Sequence, residues 1–381
     1  MSTSTTGSST TLVITNDFPP RLGGIENFVA QVCEMLDDDV IVLTSDEPGA
    51  ASHDAGLPYE VIRLGRVLLP TKRVGEIVTK LIIERGITRV LFGAAAPLGL
   101  LAPATRRAGA VHVLALSHGH EVWWSKVPAS RQLLRRIAGS VDVLGHISDF
   151  TGDQLRRVLR EDDHGKLIRV PPPVDLDRFT PCDEHDPGLV VAAGRFVPRK
   201  GFDVLLEVWP RVVQDLAALP VAPRLEIVGD GPERRRLERA ARGLPSVRIR
   251  PGVDHAEMPA LLCRAAVFAM PVRTRLGGLD PEGLGMVAAE AAACGVPVLV
   301  GRSGGAPETV DDGRSGWVID AGDRDLWRLR LVQLLSDPSR ATAMGRAGRG
   351  LVTRRFGAHL VDRAVREALG IACPEGPADD R

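Results

Sequence analysis

Residues 280–300 read DPEGLGMVAAEAAACGVPVLV: a glycine-rich turn, a run of small residues at helical pitch, then a short apolar strand. Helix followed by strand is half of a βαβ unit, and the segments on either side repeat it. VFAMPV precedes the stretch and WVIDAG follows it, while LVVAAGRF, RLEIVGDGP and VRIRPGV stand upstream, each followed by a helical segment. Towards the amino terminus the alternation runs through TLVITNDFPP, DDVIVLTSD, YEVIRL, RVLFGA and VHVLALSHG, with TKRVGEIVTKLIIERG as a helix among them. It closes near VDVLGHISDFTGDQLRRVLR. This pitch predicts two doubly wound α/β halves, each with a parallel sheet. Between them, LIRVPPPVDLDRFTPCDEHDPG carries Pro171, Pro172 and Pro173, which cannot pair within a sheet, and reads as a linker.

The bulk numbers narrow the class. A chain of 381 residues exceeds one core of ordinary size, and 44% hydrophobic with 25% charged residues is a globular balance. No apolar run reaches the 18 residues or so that a spanning helix needs. MSTSTTGSSTT has no charged n-region followed by an apolar stretch, so we expect a disordered tail and not a signal peptide. A formal charge of zero argues against nucleic acid as a partner. The five cysteines (Cys33, Cys182, Cys263, Cys294, Cys373) are odd in number, scattered, and without a CxxC pair. The expectation is no disulfide framework, no structural zinc and a reducing cytoplasm.

Glu282 and Glu290 invite reading as an acid/base couple. With a helix beginning near Gly283 or Leu284, the rise between them is ~12 Å and the carboxylates lie in different layers. A double-displacement pair stands about 5–5.5 Å apart, so the couple fails on geometry. The Gly-Leu-Gly turn instead offers backbone N–H groups at a positive helix end, which suits a phosphate. Glu282 would then hold a neutral polar group beside that phosphate and Glu290 a hydroxyl further along, as a sugar and a ribose supply. GRSGGAPETVDDGRSGWVID, residues 301–320, adds a second glycine-rich loop.

Three further motifs carry chemistry. GRFVPRKGFD (194–203) follows a strand and sets Arg195 and Lys200 across a turn with Arg199 beside them, suited to a diphosphate or to a solvated basic turn. NDFPPRLGG (16–24) follows the first strand, where Gly23 and Gly24 either admit a ligand at a helix start or simply make the turn. It is not GxGxxG, so a dinucleotide site is unsupported. SHGHE (117–121) places His118 and His120 at a strand end before Trp123 and Trp124. A metal pair there lacks a third ligand, and a substrate-facing histidine is the better reading. The tryptophans are packing or a surface for sugar or lipid.

EGLGMVAAE resembles the E-x7-E element of retaining GT-B glycosyltransferases. It stands in that family's order after GRFVPRKG and before GVPVLVGRSGGAPETV and GRSGWVID, with GGIE and SHGHE upstream. NDFPPRLGGIE, FGAAAPLGL, SHGHEVWWSKVPASRQLLRR, RFVPRKG and MPVRTRLGGLDPEGLG are similar to actinobacterial phosphatidylinositol mannoside mannosyltransferases. Those enzymes move mannose from GDP-mannose to the 6-position of a membrane-bound inositol lipid mannoside. Two departures are Ser117, where Thr is common, and Leu276, which interrupts an RTRGGG-type run.

The resemblance implies an α/β GT-B fold of two Rossmann-like domains facing a deep cleft. The expected division is a tail over 1–11, an acceptor-binding domain over 12–172 and a linker over 173–187. A GDP-sugar-binding domain over 188–355 follows, then over 356–381 a helix crossing back towards the first domain and a tail. Arg195 and Lys200 would clamp the diphosphate, faced by the backbone N–H groups of Gly283, Leu284 and Gly285. Glu282 would bind mannose hydroxyls, Glu290 the ribose, and Val253 and Met258 the guanine. His118 would contact the mannose, Gly23 and Gly24 would lie against the donor, and Asp17 would face the acceptor. Configuration would be retained by a front-side route without a metal or other cofactor. The implied partners are GDP-mannose and an inositol lipid at the inner face of the plasma membrane. For VLLPTKRVGEIVTKLIIERG (67–86) two readings stay open: a helix packed on the sheet, or one whose basic edge touches anionic lipid. Alternatives are a GT-B transferase with another nucleotide sugar or acceptor, and a non-catalytic nucleotide-sugar sensor.

Overall fold

The structure is a computed structural model that describes residues 10–21, 23–36, 40–119, 121–183 and 185–373. The chain divides into two compact units, Met1–Pro173 with His359–Arg381, and Val174–Ala358. The first unit has strands β1 (Thr11–Ile14), β2 (Val40–Thr44), β3 (Glu60–Arg63), β4 (Arg89–Phe92), β5 (His112–Ser117), β6 (Val143–His146) and β7 (Leu167–Arg169). They form one parallel sheet in the order β3-β2-β1-β4-β5-β6-β7. The second unit has β8 (Asp186–Ala193), β9 (Arg224–Val228), β10 (Val247–Arg250), β11 (Ala265–Met270), β12 (Val298–Gly301) and β13 (Gly316–Ile319). They too are all parallel, in the order β10-β9-β8-β11-β12-β13.

Both sheets carry helices on both faces, so their central strands are apolar on both sides and read as unbroken runs. Leu12, Ile14, Val90, Phe92, Val113 and Ala115 anchor the first core; Val190, Ala192, Val267, Ala269 and Leu299 anchor the second. In each sheet the strand order reverses at one point, between β1 and β4 and between β8 and β11. Loops leaving the carboxyl ends of those strands diverge, and that divergence makes room for a ligand.

Two expectations, on the linker and on the cysteines, are corrected by the structure. Leu167–Arg169, quoted with the linker, is the seventh strand of the first sheet, and Pro171–Pro173 beyond it are buried. The chain returns to the first unit through the helix Ala358–Ala368, where buried Arg366 donates to the Met35 carbonyl at 2.6 Å and to Asp362 at 2.8 Å. The expectation of no disulfide is overturned: Cys182 and Cys263, 81 residues apart, are bonded. Cysteine spacing carries no information about which loops a parallel sheet brings together, and here one segment precedes β8 and the other β11. Cys33 and Cys294 are free and buried, and Cys373 is free and exposed. No helix among the described residues is long and apolar enough to cross a membrane.

Closing a loop of this length removes chain entropy from the unfolded state and contributes about 2–4 kcal/mol. Reduction, or Cys263→Ser, should therefore lower the melting temperature of the protein by several degrees. Calorimetry with and without a dithiol checks this, and a curve indifferent to reduction would show the bond absent or without effect.

Candidate active site

In the second unit the chain leaves β8 at Ala193, and Arg195 follows, exposed and without an ion pair among the described residues. A short 3-10 turn, Pro198–Lys200, then buries Lys200 to 8% exposure before the helix Phe202–Leu216. The loop after β11 brings Glu282 against it. Glu282 is 7% exposed; its Oε1 accepts from Lys200 Nζ at 3.1 Å and its Oε2 from Arg199 Nε at 3.4 Å. Arg199 also reaches Asp280 at 3.4 Å. The Glu282 backbone is fixed as firmly. Its N–H donates to Ser303 Oγ at 3.2 Å, its carbonyl accepts from the Gly305 N–H at 3.0 Å, and Ser303 Oγ pairs with Thr274 Oγ1 at 2.9 Å. A Cβ on Gly304, at φ +55, would stand 1.8 Å from the Glu282 carbonyl oxygen, so only glycine lets the two loops meet. Burial pushes the Glu282 carboxyl up, but the Lys200 ammonium and then the Arg199 guanidinium outweigh it and hold the group below its ordinary range.

The helix of the opening stretch is Met286–Ala293, two to three residues later than expected. Gly285 caps it at φ +83, a left-handed conformation that cannot be a helical turn. Gly283, Leu284 and Gly285 therefore form the turn before the helix, and Glu290 stands one turn in, not two. Glu290 is half-buried; burial pushes its carboxyl up to about 7, with Arg178 pulling it partly back. Two carboxyl groups near one turn thus have opposite tendencies, Glu282 held ionised and Glu290 ready to protonate near neutrality. Val253 and Met258 lie half-buried after β10, on either side of the short turn His255–Glu257.

The first unit arranges its residues around the end of β1. Asp17 donates its backbone N–H to Thr15 Oγ1 at 2.9 Å, and its carboxylate lies 3.9 Å from Arg21. Gly23 caps the helix Gly24–Met35, and a Cβ there would stand 2.1 Å from Glu26 Oε2. Glu26, buried and 3.1 Å from Arg21 Nε, thus folds back on the helix start, where a capping-box acid sits. His118 is buried, its Nε2 2.5 Å from the Gly93 carbonyl oxygen and its ring edge-on to Phe28 at 5.7 Å. Fully buried Glu121 accepts from Ser117 Oγ and from the backbone N–H groups of His118 and Gly119 at 2.9–3.2 Å, which fixes that loop. His120 lies outside the described residues, and among those described no group of three or more His, Cys, Asp or Glu is placed to hold a metal.

Glu26, Glu121 and Ser303 were not singled out from the sequence. The signal for Glu26 was present, an acid three residues after the cap. Ser303 had none, because its partner lies 21 positions away. Leu276, the departure in the glycine run, adopts φ +52 and is 68% exposed, so the loop keeps a left-handed turn in spite of the side chain.

Two doubly wound parallel units, with cations and a glycine turn at the reversal point of the second, define a GT-B glycosyltransferase. A family model described as glycosyl transferases group 1 matches residues 187–337, and one described as glycosyltransferase family 4 matches residues 22–178. The GDP-mannose-dependent monoacylated alpha-(1-6)-phosphatidylinositol monomannoside mannosyltransferase of Corynebacterium glutamicum is 43% identical, over 94% of this chain and 97% of that one. The GDP-mannose-dependent alpha-(1-6)-phosphatidylinositol monomannoside mannosyltransferase of Mycolicibacterium smegmatis is 44% identical, over 89% and 92%. Anabaena HepE, solved in complex with UDP, shares the fold at TM-score 0.77 and 15% identity, over 95% of this chain and 99% of that one. The chain belongs to the glycosyltransferase group 1 and family 4 class, in the family of these actinobacterial mannosyltransferases.

Glu282→Gln strips the charge that compensates buried Lys200, and the loss should be about 3 kcal/mol at neutral pH. The carboxylate's contribution is present above its unfolded pKa and lost as pH falls through the lowered folded value. Urea melts of both proteins should therefore converge in acid, below about pH 4; a gap independent of pH would mean that the ion pair does not set it.

Proposed function

We propose that the protein is a retaining mannosyltransferase that moves mannose from GDP-mannose to the 6-position of inositol in a phosphatidylinositol monomannoside. The observation that carries this reading is the Lys200–Glu282–Arg199 cluster beside the Gly283–Gly285 turn, in a chain similar over nearly its whole length to enzymes named for that reaction. On this reading Arg195 and Lys200 take the diphosphate, and the N–H groups of Gly283, Leu284 and Gly285 face the same oxygens. Glu282 accepts from mannose hydroxyls, Glu290 from the ribose, and Val253 and Met258 hold the guanine. Gly23 and Gly24 lie against the donor, Asp17 serves the acceptor and His118 contacts the sugar.

The reaction breaks the bond between the mannose anomeric carbon and the β-phosphate oxygen. A bond forms from the acceptor hydroxyl to the same face of that carbon. The departing phosphate oxygen takes the hydroxyl proton, so no side chain has to act as base. What the protein supplies is charge at the leaving group and placement, and both favour the transition state over the bound substrate. Removing one such charge costs about a hundredfold or more in rate. Arg195→Ala, at a side chain with no ion pair among the described residues, should show that loss with its melting temperature intact. Turnover of radiolabelled GDP-mannose with a membrane extract, followed by identification of the labelled lipid, reads both activity and acceptor. Unchanged turnover in Arg195→Ala would refute the assigned role, and label accepted only from a UDP-sugar would refute the donor.

The lipid acceptor calls for a membrane surface. The helix Lys72–Arg85 buries Val78 and Ile82 in the first core, while Val67, Leu69 and Ile83 stay more than half exposed. Lys72 and Lys80 are exposed, each loosely paired with a glutamate four residues on. We assign this edge to anionic lipid. Flotation with liposomes should rise with anionic lipid content and fall in Lys72→Glu/Lys80→Glu; equal flotation on neutral vesicles removes the assignment.

A further inference from the structure

Between the first unit and β8, residues 174–183 form a strap across the second unit, and nothing in the proposed reaction uses it. Asp175 folds it into a turn, accepting the N–H groups of Asp177 and Arg178 at 3.1 and 3.0 Å. Arg349, from the helix Pro338–Phe356, donates to the carbonyls of Leu176, Phe179 and Ala293 at 3.1, 2.8 and 2.5 Å. Ala293 ends the helix that carries Glu290, so the turn is tied to that helix. From the turn, the Arg178 guanidinium donates to the His255 carbonyl, inside the short turn between Val253 and Met258. The guanidinium lies 5.7 Å from the Phe179 ring, and that ring lies 5.8 Å from the His255 imidazole. The Cys182–Cys263 bond closes the other end of the strap onto the helix that Met258 begins.

We propose that Arg178 is the positioning residue of the donor site, setting the base loop Val253–Met258 and the Glu290 carboxylate at one fixed spacing. The proposal rests on the donor-site reading above, in which the loop holds the nucleobase and Glu290 the ribose. One planar guanidinium acts on both: it hydrogen-bonds the loop backbone, and its charge is the one that favours the ionised form of Glu290 against burial. Of the neighbouring groups, Arg349 is a cation that every variant below retains. Cys294, one turn on, has its thiol pushed up to about 12 by burial and then by Glu290, so it is neutral. Arg349, beyond Cys294, spends its guanidinium on three carbonyls. His255 is held neutral by burial and then by Arg178 itself.

The sign follows. A ribose diol donates its hydrogens, so the carboxylate, an acceptor at both oxygens, binds it better than the acid does. With Glu290 at about 7, GDP affinity is full above neutrality and falls as pH drops through that value. Without Arg178 the carboxylate loses its stabilising charge and the midpoint moves up.

Titration calorimetry with GDP across neutral pH tests this on the full chain. Arg178→Ala should weaken GDP about tenfold, raise the KM for GDP-mannose far more than it lowers kcat, and shift the pH midpoint upward. Arg178→Lys keeps a charge but not the planar fork, so it should restore the midpoint while affinity stays reduced. Glu290→Gln should abolish the Glu290 midpoint and leave only the pH dependence that the GDP phosphate's own second ionisation, at about 6, supplies. If Glu290→Gln does so but Arg178→Ala leaves the midpoint in place, the proposal fails and the ribose reading stands. If Glu290→Gln leaves the pH dependence untouched, the ribose reading fails and the proposal with it. Should Arg178→Ala not fold, Arg178→Lys decides alone, and wild-type GDP affinity in that variant overturns the proposal.

Discussion

The second unit is organised around one buried ion pair, Lys200 with Glu282. Its partners come from loops after β8 and β11, the two strands at which the sheet order reverses. Neither charge would be tolerable alone at 7–8% exposure, since an isolated buried ion costs several kcal/mol. Together with Arg199 they hold the loops in register, and Ser303, Gly304 and Gly305 then lock the Glu282 backbone from the β12 side. The glycine turn at 283–285 and the helix behind it inherit their position from that lock.

The pair also fixes the chemistry of the turn. Glu282 stays ionised because two cations outweigh its burial, whereas Glu290, one turn into the next helix, has burial with only Arg178 against it. Environments that push two carboxyl groups apart usually mark an acid and a base. On the proposed front-side route, the leaving group's own basicity makes that division unnecessary. Glu282 is purely an acceptor at neutral pH, and Glu290 becomes purely one only once it has released its proton.

Most of the architecture was legible in the sequence, because parallel strands buried on both faces read as apolar runs and glycine turns mark their ends. What was not legible is what depends on long-range placement. The disulfide joins residues 81 positions apart, and β7 hides beside three prolines because its pairing partner, β6, gives no local sign. The helix start was misplaced for a local reason: a glycine run allows either a first helical turn or a left-handed cap, and only the surrounding packing chooses. Arg195, Lys200, Glu282 and Glu290 were visible as charges at strand ends and helix starts. Their pairing, and the work of Ser303 and Arg349 behind them, was not.

The first unit solves the same electrostatic problem from the other side. A helix that starts at a strand's carboxyl end presents free N–H groups, and an empty one would attract any phosphate in the cell. At the head of Gly24–Met35 the chain supplies its own anion, Glu26, and neutralises it with Arg21. At the head of Met286–Ala293 the acid stands just outside the turn and is neutralised by Lys200 and Arg199, while Arg195 remains without an ion pair among the described residues. A ligand that merely carries a phosphate must then compete with a carboxylate already in place. On the proposed donor reading, a ligand that brings hydroxyls for Glu282 as well as phosphate for Arg195 and Lys200 meets both halves of the pair. On that reading the internal salt bridge would act as a filter: it would weaken the response to bare phosphate and leave the response to a sugar diphosphate, since only the latter offers a new partner to each charge it disturbs.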